Sequence, residues 1–195
     1  TGRMQAYVVG FRIFDGRSLQ TEDGGPCDPF VVVECCNNSY KSETFESRTS
    51  LVSWNESCIW PNIELYEKEF DSAYIEFKVY ARYWFTRNYL IGKASMQLSF
   101  INKRHHHLYA RRWLCLRRDD SPAITGMLNV TCFALKPGQQ APSATEAMTP
   151  VDDGTEDAGA EAQDYENLER AVLKTQVDAP PGKGHYVLIN IHRVD

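Results

Sequence analysis

The sequence lacks any apolar run long enough to cross a bilayer. Spanning a membrane takes roughly 18 to 20 consecutive apolar residues, and no stretch of the 195 residues approaches that length. No leader with a charged start and an apolar centre opens the chain. We therefore expect a water-soluble chain.

Motifs of the common enzyme classes are also missing. The chain has neither G-x-S-x-G nor a glycine-rich nucleotide-binding loop, and no Cys and His pair in a recognisable context. Paired C-x-x-C spacing, which would suggest structural zinc, is absent as well. We therefore predict no enzyme activity and no cofactor.

Six cysteines are present, and their number leaves a disulfide framework open as one interpretation. Five of them lie in or beside apolar, strand-like runs, where a free thiol behaves as a small hydrophobic side chain. That placement favours reduced thiols, and therefore a reducing, cytoplasmic compartment.

The acidic charge is concentrated in one part of the chain. Residues 1–138 carry 17 Lys and Arg against 15 Asp and Glu, whereas residues 139–183 carry 3 against 10. The acidic part is rich in small residues and proline and holds almost no aromatic side chain, so it cannot bury enough surface to offset its ordering entropy. We predict a folded domain over residues 4–138, a mostly disordered, flexible acidic linker over 139–183, and the first strand of a following domain over 184–195.

Residues 4–138 carry the pattern of an all-β sandwich. Short runs of β-branched and aromatic residues alternate there with turn residues. In one run, Leu128, Val130, Cys132 and Ala134 fall on a single face, and Gly10 predicts a bulge in the first strand. We predict eight strands, at residues 7–14, 29–36, 40–45, 58–65, 73–80, 91–98, 112–116 and 126–135.

Several stretches of this region resemble those of a known family. Residues 24–31, GGPCDPFV, resemble the G-x-S-D-P-Y-V stretch that follows the first strand of a C2 domain, and residues 52–56, VSWNE, resemble its P-x-W-N-E stretch. Residues 107–116, HLYARRWLCL, and the closing LKPG at 135–138 resemble an N-terminal C2 domain of the ferlins. The resemblance covers nearly the whole of residues 4–138.

That resemblance implies an eight-stranded antiparallel C2-type β-sandwich that docks and does not catalyse. It implies a cytoplasmic, peripheral module of a membrane-anchored ferlin-like protein in vesicle trafficking, exocytosis or membrane fusion. The implied partners are an anionic phospholipid membrane and neighbouring C2 domains of the same protein. The alternative is a structural C2 domain that makes intramolecular or protein contacts without binding lipid.

Calcium-binding C2 domains collect carboxylates from two loops, because the ion needs roughly 6 to 8 oxygen ligands. In the first loop the resemblance aligns Asp28 with the motif aspartate and places Glu22 or Asp23 nearby, although an Asp before Pro is also a common turn former. The second loop has lost its acids, and the aligned positions hold Ala81, Tyr83, Asn88 and Tyr89. We therefore predict an incomplete calcium site and no tight calcium binding.

Cationic and aromatic side chains replace those acids. They are Arg82, Tyr83, Trp84, Phe85 and Arg87. Trp and Tyr suit the headgroup zone of a bilayer and Arg pairs with phosphate, so we predict calcium-independent lipid contact through these residues. The alternative is that Trp84 and Phe85 pack under a neighbouring loop or against another domain.

A second basic zone runs from Lys103 to Arg118 and contains three consecutive histidines. We predict a solvated connector there, because the matching ferlin stretch is also basic. Three adjacent histidines point in different directions on any regular element, so no metal site is expected. Nucleic-acid binding is not expected either, since the zone lacks aromatic interleaving on one strand.

Overall fold

The computed structural model describes residues 2–25, 27–46, 51–143 and 146. Most of that part is β-strand, which confirms the all-β prediction and the number of strands. The strands are β1 (Gln5–Arg17), β2 (Pro29–Cys35), β3 (Asn38–Lys41), β4 (Val52–Leu65), β5 (Tyr74–Ala81), β6 (Tyr89–Gln97), β7 (Leu108–Arg118) and β8 (Ser121–Leu135). Nearly all of the acidic linker, and the strand expected over 184–195, lie outside the described residues.

All neighbouring strands are antiparallel, in the order β3-β2-β5-β6-β7-β8-β1-β4. Between β6 and β7 the register contains a single pair, Lys93 with Arg117. The order therefore divides at that point into two four-stranded halves, which face each other as the layers of a sandwich.

The hydrophobic core fills the space between the layers. Phe11 of β1 lies 5.3 to 5.9 Å, centroid to centroid, from Tyr40, Trp60 and Phe77, so residues from three other strands converge on it. The alternation predicted for β8 is confirmed, because Leu128, Val130, Cys132 and Ala134 all belong to this core. Inward-facing apolar residues of both layers thus form one continuous core.

Antiparallel pairing sends alternate connections to opposite ends of the sandwich. One end, which we call the loop end, carries the connections that follow β1, β3, β5 and β7. The other end carries two short helices, α1 (Glu67–Ser72) and α2 (Leu98–Lys103). Their Phe70 and Ile101 are fully buried beneath that end, with Phe70 stacked on Tyr7 at 4.4 Å between ring centroids. Within the described residues no helix is long and apolar enough to span a membrane.

Several details differ from the sequence prediction. Strand β4 begins at Val52, so the tryptophan motif lies inside the strand and not before it, and β3 ends at Lys41. Gly10 is not the site of a bulge, because the register of β1 with β4 shifts between Tyr7 and Val9 and again between Ile13 and Asp15. Gly10 instead leaves room for the Phe133 ring, into which a Cβ atom would project.

The basic zone predicted as a connector is mostly structured. Its first part forms the end of α2 and a 3-10 turn (His105–His107), and its second part is strand β7. The strand predicted at residues 112–116 is confirmed as part of β7, in which Leu114 and Leu116 point into the core between the charged residues.

All six cysteines are free thiols. Cys27, Cys35 and Cys132 are buried, and burial is the first cause that raises the pKa of each of these thiols. For these three cysteines the interpretation as free thiols packed in the core is confirmed.

Candidate functional site

Arg82 contacts two neighbouring connections at the loop end. Its Nη2 atom donates to Glu46 Oε1 at 2.7 Å, in the connection between β3 and β4. Its backbone N–H donates to the carbonyl oxygen of Asp28 at 2.8 Å, at the end of the connection between β1 and β2. One residue of the segment 82–88, which we call the tip, therefore contacts both neighbouring connections.

The same guanidinium lies over the Trp84 ring, with Cζ 4.2 Å from the ring centroid. A planar cation at this distance from an indole face is held by the ring quadrupole and by stacking. Arg82 thus fixes the position of Trp84 while its ion pair with Glu46 fixes Arg82. The tip gains an internal support that contains no metal ion.

Tyr83 supplies a second link to the first connection. Burial and the nearby Asp23 carboxylate raise the pKa of Tyr83, and a side-chain hydrogen bond with Thr21 acts in the opposite direction. Its backbone N–H points to Asn88 Oδ1 at 3.4 Å, which closes the tip on itself. Asn88, at a position where the resemblance expects an acid, is therefore used to shape the tip.

The apolar residues of the tip project outward. Trp84 is 70% exposed and Phe85 is 100% exposed, and Arg87 beside them is exposed as well. Among the described residues neither ring packs under a neighbouring loop. Adjacent exposed apolar side chains on a soluble domain often mark a site of interaction with a membrane or a protein.

The carboxylates predicted as half a calcium site all lie in the first connection. Glu22 and Asp23 are exposed, and Asp28 is partly buried. Glu22 lies close enough to Arg118 to raise the pKa of that guanidinium, after the larger effect of Tyr89, and Asp23 acts on Tyr83. The described part of the chain contains no group of three or more His, Cys, Asp or Glu side chains placed to hold a metal ion.

The tryptophan motif in β4 supports the loop end from below. Glu56 accepts a hydrogen bond from the Tyr40 hydroxyl at 2.6 Å and another from the Glu43 backbone N–H at 3.1 Å. The Trp54 indole N–H donates to the Glu43 carbonyl oxygen at 3.3 Å. These bonds hold the start of the connection that carries Glu46. The motif is visible in the sequence as a family signature, but no local signal there indicates this supporting role.

The outer surface of the β2-β5-β6 layer, which we call the ladder face, alternates in charge. Lys78 Nζ lies 2.6 Å from Glu34 and 3.1 Å from Glu76, and Lys93 Nζ lies 2.9 Å from Asp119 and 3.8 Å from Glu76. The hydrogen bond to Glu34 is the largest cause that raises the pKa of Lys78. Because both lysines are neutralised by carboxylates, this face does not present a cationic cluster.

Comparison with known proteins agrees with this geometry. The C2 domain family matches residues 8–116. Ferlin 2 of Toxoplasma gondii is 36% identical over 197 residues, covering 100% of this chain and 13% of the relative. Human myoferlin is 22% identical over 144 residues, covering 73% of this chain and 7% of the relative. The chain thus spans a small part of each of these relatives.

Solved structures agree on the fold. A C2 domain of plant extended synaptotagmin 1 has a TM-score of 0.53 at 18% identity, over 69% of this chain and 98% of that one. A structure of two C2 domains of extended synaptotagmin 2 gives a TM-score of 0.54 at 19% identity, over 70% of this chain and 43% of that one. The chain belongs to the C2 domain family, and the relatives that it matches along its length make it a C2 domain of the ferlin type.

Proposed function

We propose that this chain is a non-catalytic membrane-docking module of a ferlin-like protein of vesicle trafficking or membrane fusion. It binds anionic phospholipid through Arg82, Tyr83, Trp84, Phe85 and Arg87, and it acts peripherally on the cytoplasmic side of membranes. The observation that carries the proposal is the full exposure of Phe85 beside Trp84 and Arg87 at the loop end. Aromatic rings enter the headgroup zone while arginine pairs with phosphate.

Calcium is not required in this proposal, because Arg82 does locally what a bound cation would do. The guanidinium neutralises Glu46 and so connects the tip to the connection between β3 and β4, while the Arg82 backbone N–H contacts the connection between β1 and β2. A hard divalent ion needs several carboxylates in one place, whereas the described residues contain no group of three or more side chains placed to hold a metal ion. The docking surface therefore exists before any ion arrives.

The apolar contribution to binding follows from the exposed rings. Complete burial of one large apolar side chain is worth about 1.5 to 3 kcal/mol. Trp84 and Phe85 enter only the interfacial zone, so we take about 1 kcal/mol from each, or about 2 kcal/mol together. That free energy corresponds to about a 30-fold change in the membrane partition coefficient.

Co-sedimentation with vesicles of phosphatidylserine and phosphatidylcholine tests the proposal. We expect Trp84→Ala with Phe85→Ala to lower the partition coefficient about 30-fold, equally in calcium and in a chelator. Tyr74→Ala is the matched control, because Tyr74 is also exposed, at 53%, but lies at the opposite end of the sandwich. Unchanged binding of the double variant would reject the lipid role and favour the structural alternative, in which the tip contacts a protein.

Isothermal titration with calcium chloride tests the second part separately. We expect no saturable heat in the micromolar range. Micromolar binding that also increases vesicle sedimentation would show that the first connection, with Asp28, completes a calcium site, and would contradict calcium independence.

A further inference from the structure

The outer surface of the β4-β1-β8-β7 layer carries arginines stacked on aromatic rings. The guanidinium carbons of Arg12 and Arg111 lie 5.2 and 4.1 Å from the centroid of the same ring, Phe14. The guanidinium carbon of Arg17 lies 4.4 Å from the ring of Trp113. We call this surface, formed by Arg12, Phe14, Arg17, Arg111 and Trp113, the arginine face.

The side chains of this face pack together on the outer surface of the sheet, separately from the core. Residues 128, 130, 132 and 134 of β8 point into the core, so Asn129 and Thr131 between them point outward, and yet they are only 7% and 2% exposed. Phe14 is 1% exposed and lies outside the core cluster. The arginines and Trp113 therefore cover these residues, and their stems pack as apolar cover while their charged ends stay at the surface.

The arginines of this face are not paired with carboxylates in the part of the chain that the structure describes. Among the described residues, Arg12, Arg17 and Arg111 form no ion pair with a carboxylate. On the ladder face, by contrast, each lysine has a carboxylate within 4 Å. Two like charges also share the Phe14 ring, an arrangement that an anionic partner would stabilise.

The layer also leaves polar atoms without partners. Arg12 Nε and Asn129 Oδ1 are buried and have no hydrogen-bond partner. A buried polar atom without a partner costs about 1 to 3 kcal/mol. Arg12, one of the three stacked arginines, therefore carries such a cost, as Arg82 does at the tip through its own buried Nε.

The orientation of the face favours a polypeptide over a bilayer. Arg17 is the last residue of β1, near the loop end, while Arg12 lies five positions earlier, which is about 16 Å along the strand. The face therefore runs down the side of the sandwich from the loop end, on the layer opposite to β5 and β6, the strands that flank the tip we propose to meet the membrane. An extended chain lying along the strands reaches the whole face at once.

We propose that the arginine face binds an acidic polypeptide segment of a partner protein. Stacking holds each guanidinium flat, so its terminal N–H groups can form bidentate bonds to carboxylates, and little side-chain freedom is lost on binding. Trp and Arg are the residue types that most often dominate protein interfaces. This contact is separate from the lipid contact of the tip.

Fluorescence anisotropy with the full 195-residue chain tests this assignment. The probe is a labelled peptide of alternating glutamate and serine, and we expect saturable, salt-sensitive binding. Arg12→Gln with Arg17→Gln should weaken that binding about tenfold. Lys78→Gln with Lys93→Gln is the charge-matched control on the ladder face and should change it less than about twofold, since those lysines are already paired.

Three results would overturn the assignment. The first is the absence of saturable peptide binding, and the second is an equal loss of peptide binding in the lysine control. The third is a double arginine variant that loses binding to phosphatidylserine vesicles but keeps full peptide binding, which would assign the face to lipid. If the double arginine variant does not fold, Arg17→Gln alone carries the test, because Arg17 is exposed. Trp84→Ala with Phe85→Ala should keep full peptide binding, which separates this contact from the proposed membrane contact.

Discussion

Replacing Arg82 with glutamine removes the link between the tip and the connection that carries Glu46. The ion pair spans 2.7 Å between side chains that are 24% and 67% exposed, so solvent screens it and we assign it about 0.5 to 1 kcal/mol. The stacking of Arg82 on Trp84 adds about 0.5 to 1 kcal/mol at an exposed site. Because Arg82→Gln removes both the ion pair and the stacking, it should lower the free energy of unfolding by about 1 to 2 kcal/mol.

Thermal and denaturant unfolding measure this loss, which for a domain of this size corresponds to a fall in Tm of roughly 3 to 8 °C. Arg87→Gln is the matched control, because it removes the same charge from the same tip. Arg87 is exposed and has no ion pair among the described residues, so its substitution should change stability by less than about 0.5 kcal/mol.

A double-mutant cycle with Glu46→Gln isolates the pair from the stacking. We expect a coupling free energy of about 0.5 to 1 kcal/mol that shrinks as salt is added. A coupling of zero, or an equal loss from Arg87→Gln, would refute the idea that Arg82 supports the tip in place of an ion.

Other parts of the domain give further expectations. Glu56→Gln should destabilise the domain by about 1 to 3 kcal/mol in urea unfolding, because the acceptor of the Tyr40 hydroxyl and the Glu43 N–H loses its charge. Burial and the hydrogen bond to Glu56 raise the pKa of Tyr40 to about 12 from 10.0. The Tyr40 phenol ionises at a lower pH in the unfolded chain than in the folded one. The stability contributed by the neutral Tyr40 hydroxyl is therefore complete below pH 10.0 and is lost as the pH rises to about 12. Tyr40→Phe should flatten that decline. In native alkylation followed by mass spectrometry, the exposed Cys36 should react far faster than the buried Cys35 and Cys132, and equal rates would contradict the burial described here.

The sandwich was predictable because the two-residue period of apolar side chains is a local signal. Strand β8 shows it most clearly, and strand β4 shows its limit. The polar residues of the tryptophan motif favour a turn by composition, yet pairing of Ser53 and Glu56 with β1 places them inside the strand. Helices α1 and α2 are only six residues long, so neither contains enough turns to display a helical period.

The site was predictable in its composition and not in its contacts. The loss of acids around Ala81 and the gain of Arg82 to Arg87 are visible in the sequence. The pairing of Arg82 with Glu46 is not, because 36 positions separate them and only the register of β2 with β3 and β5 brings them together. The arginine face was missed for the same reason, since Arg12 and Arg17 come from β1 and Arg111 comes from β7, and no local pattern predicts that β8 joins these two strands in one layer.

The strand order has a consequence for how the domain folds. Strand β8 lies between β7 and β1, so one layer stays divided until the last strand arrives. The pairing of β8 with β1 joins the two ends of the domain, and contacts between residues so distant in sequence form slowly. We therefore expect that a nascent chain whose Leu116 has left the exit tunnel, although all the residues matched by the C2 family are then outside, remains sensitive to protease until Leu135 has also left the tunnel.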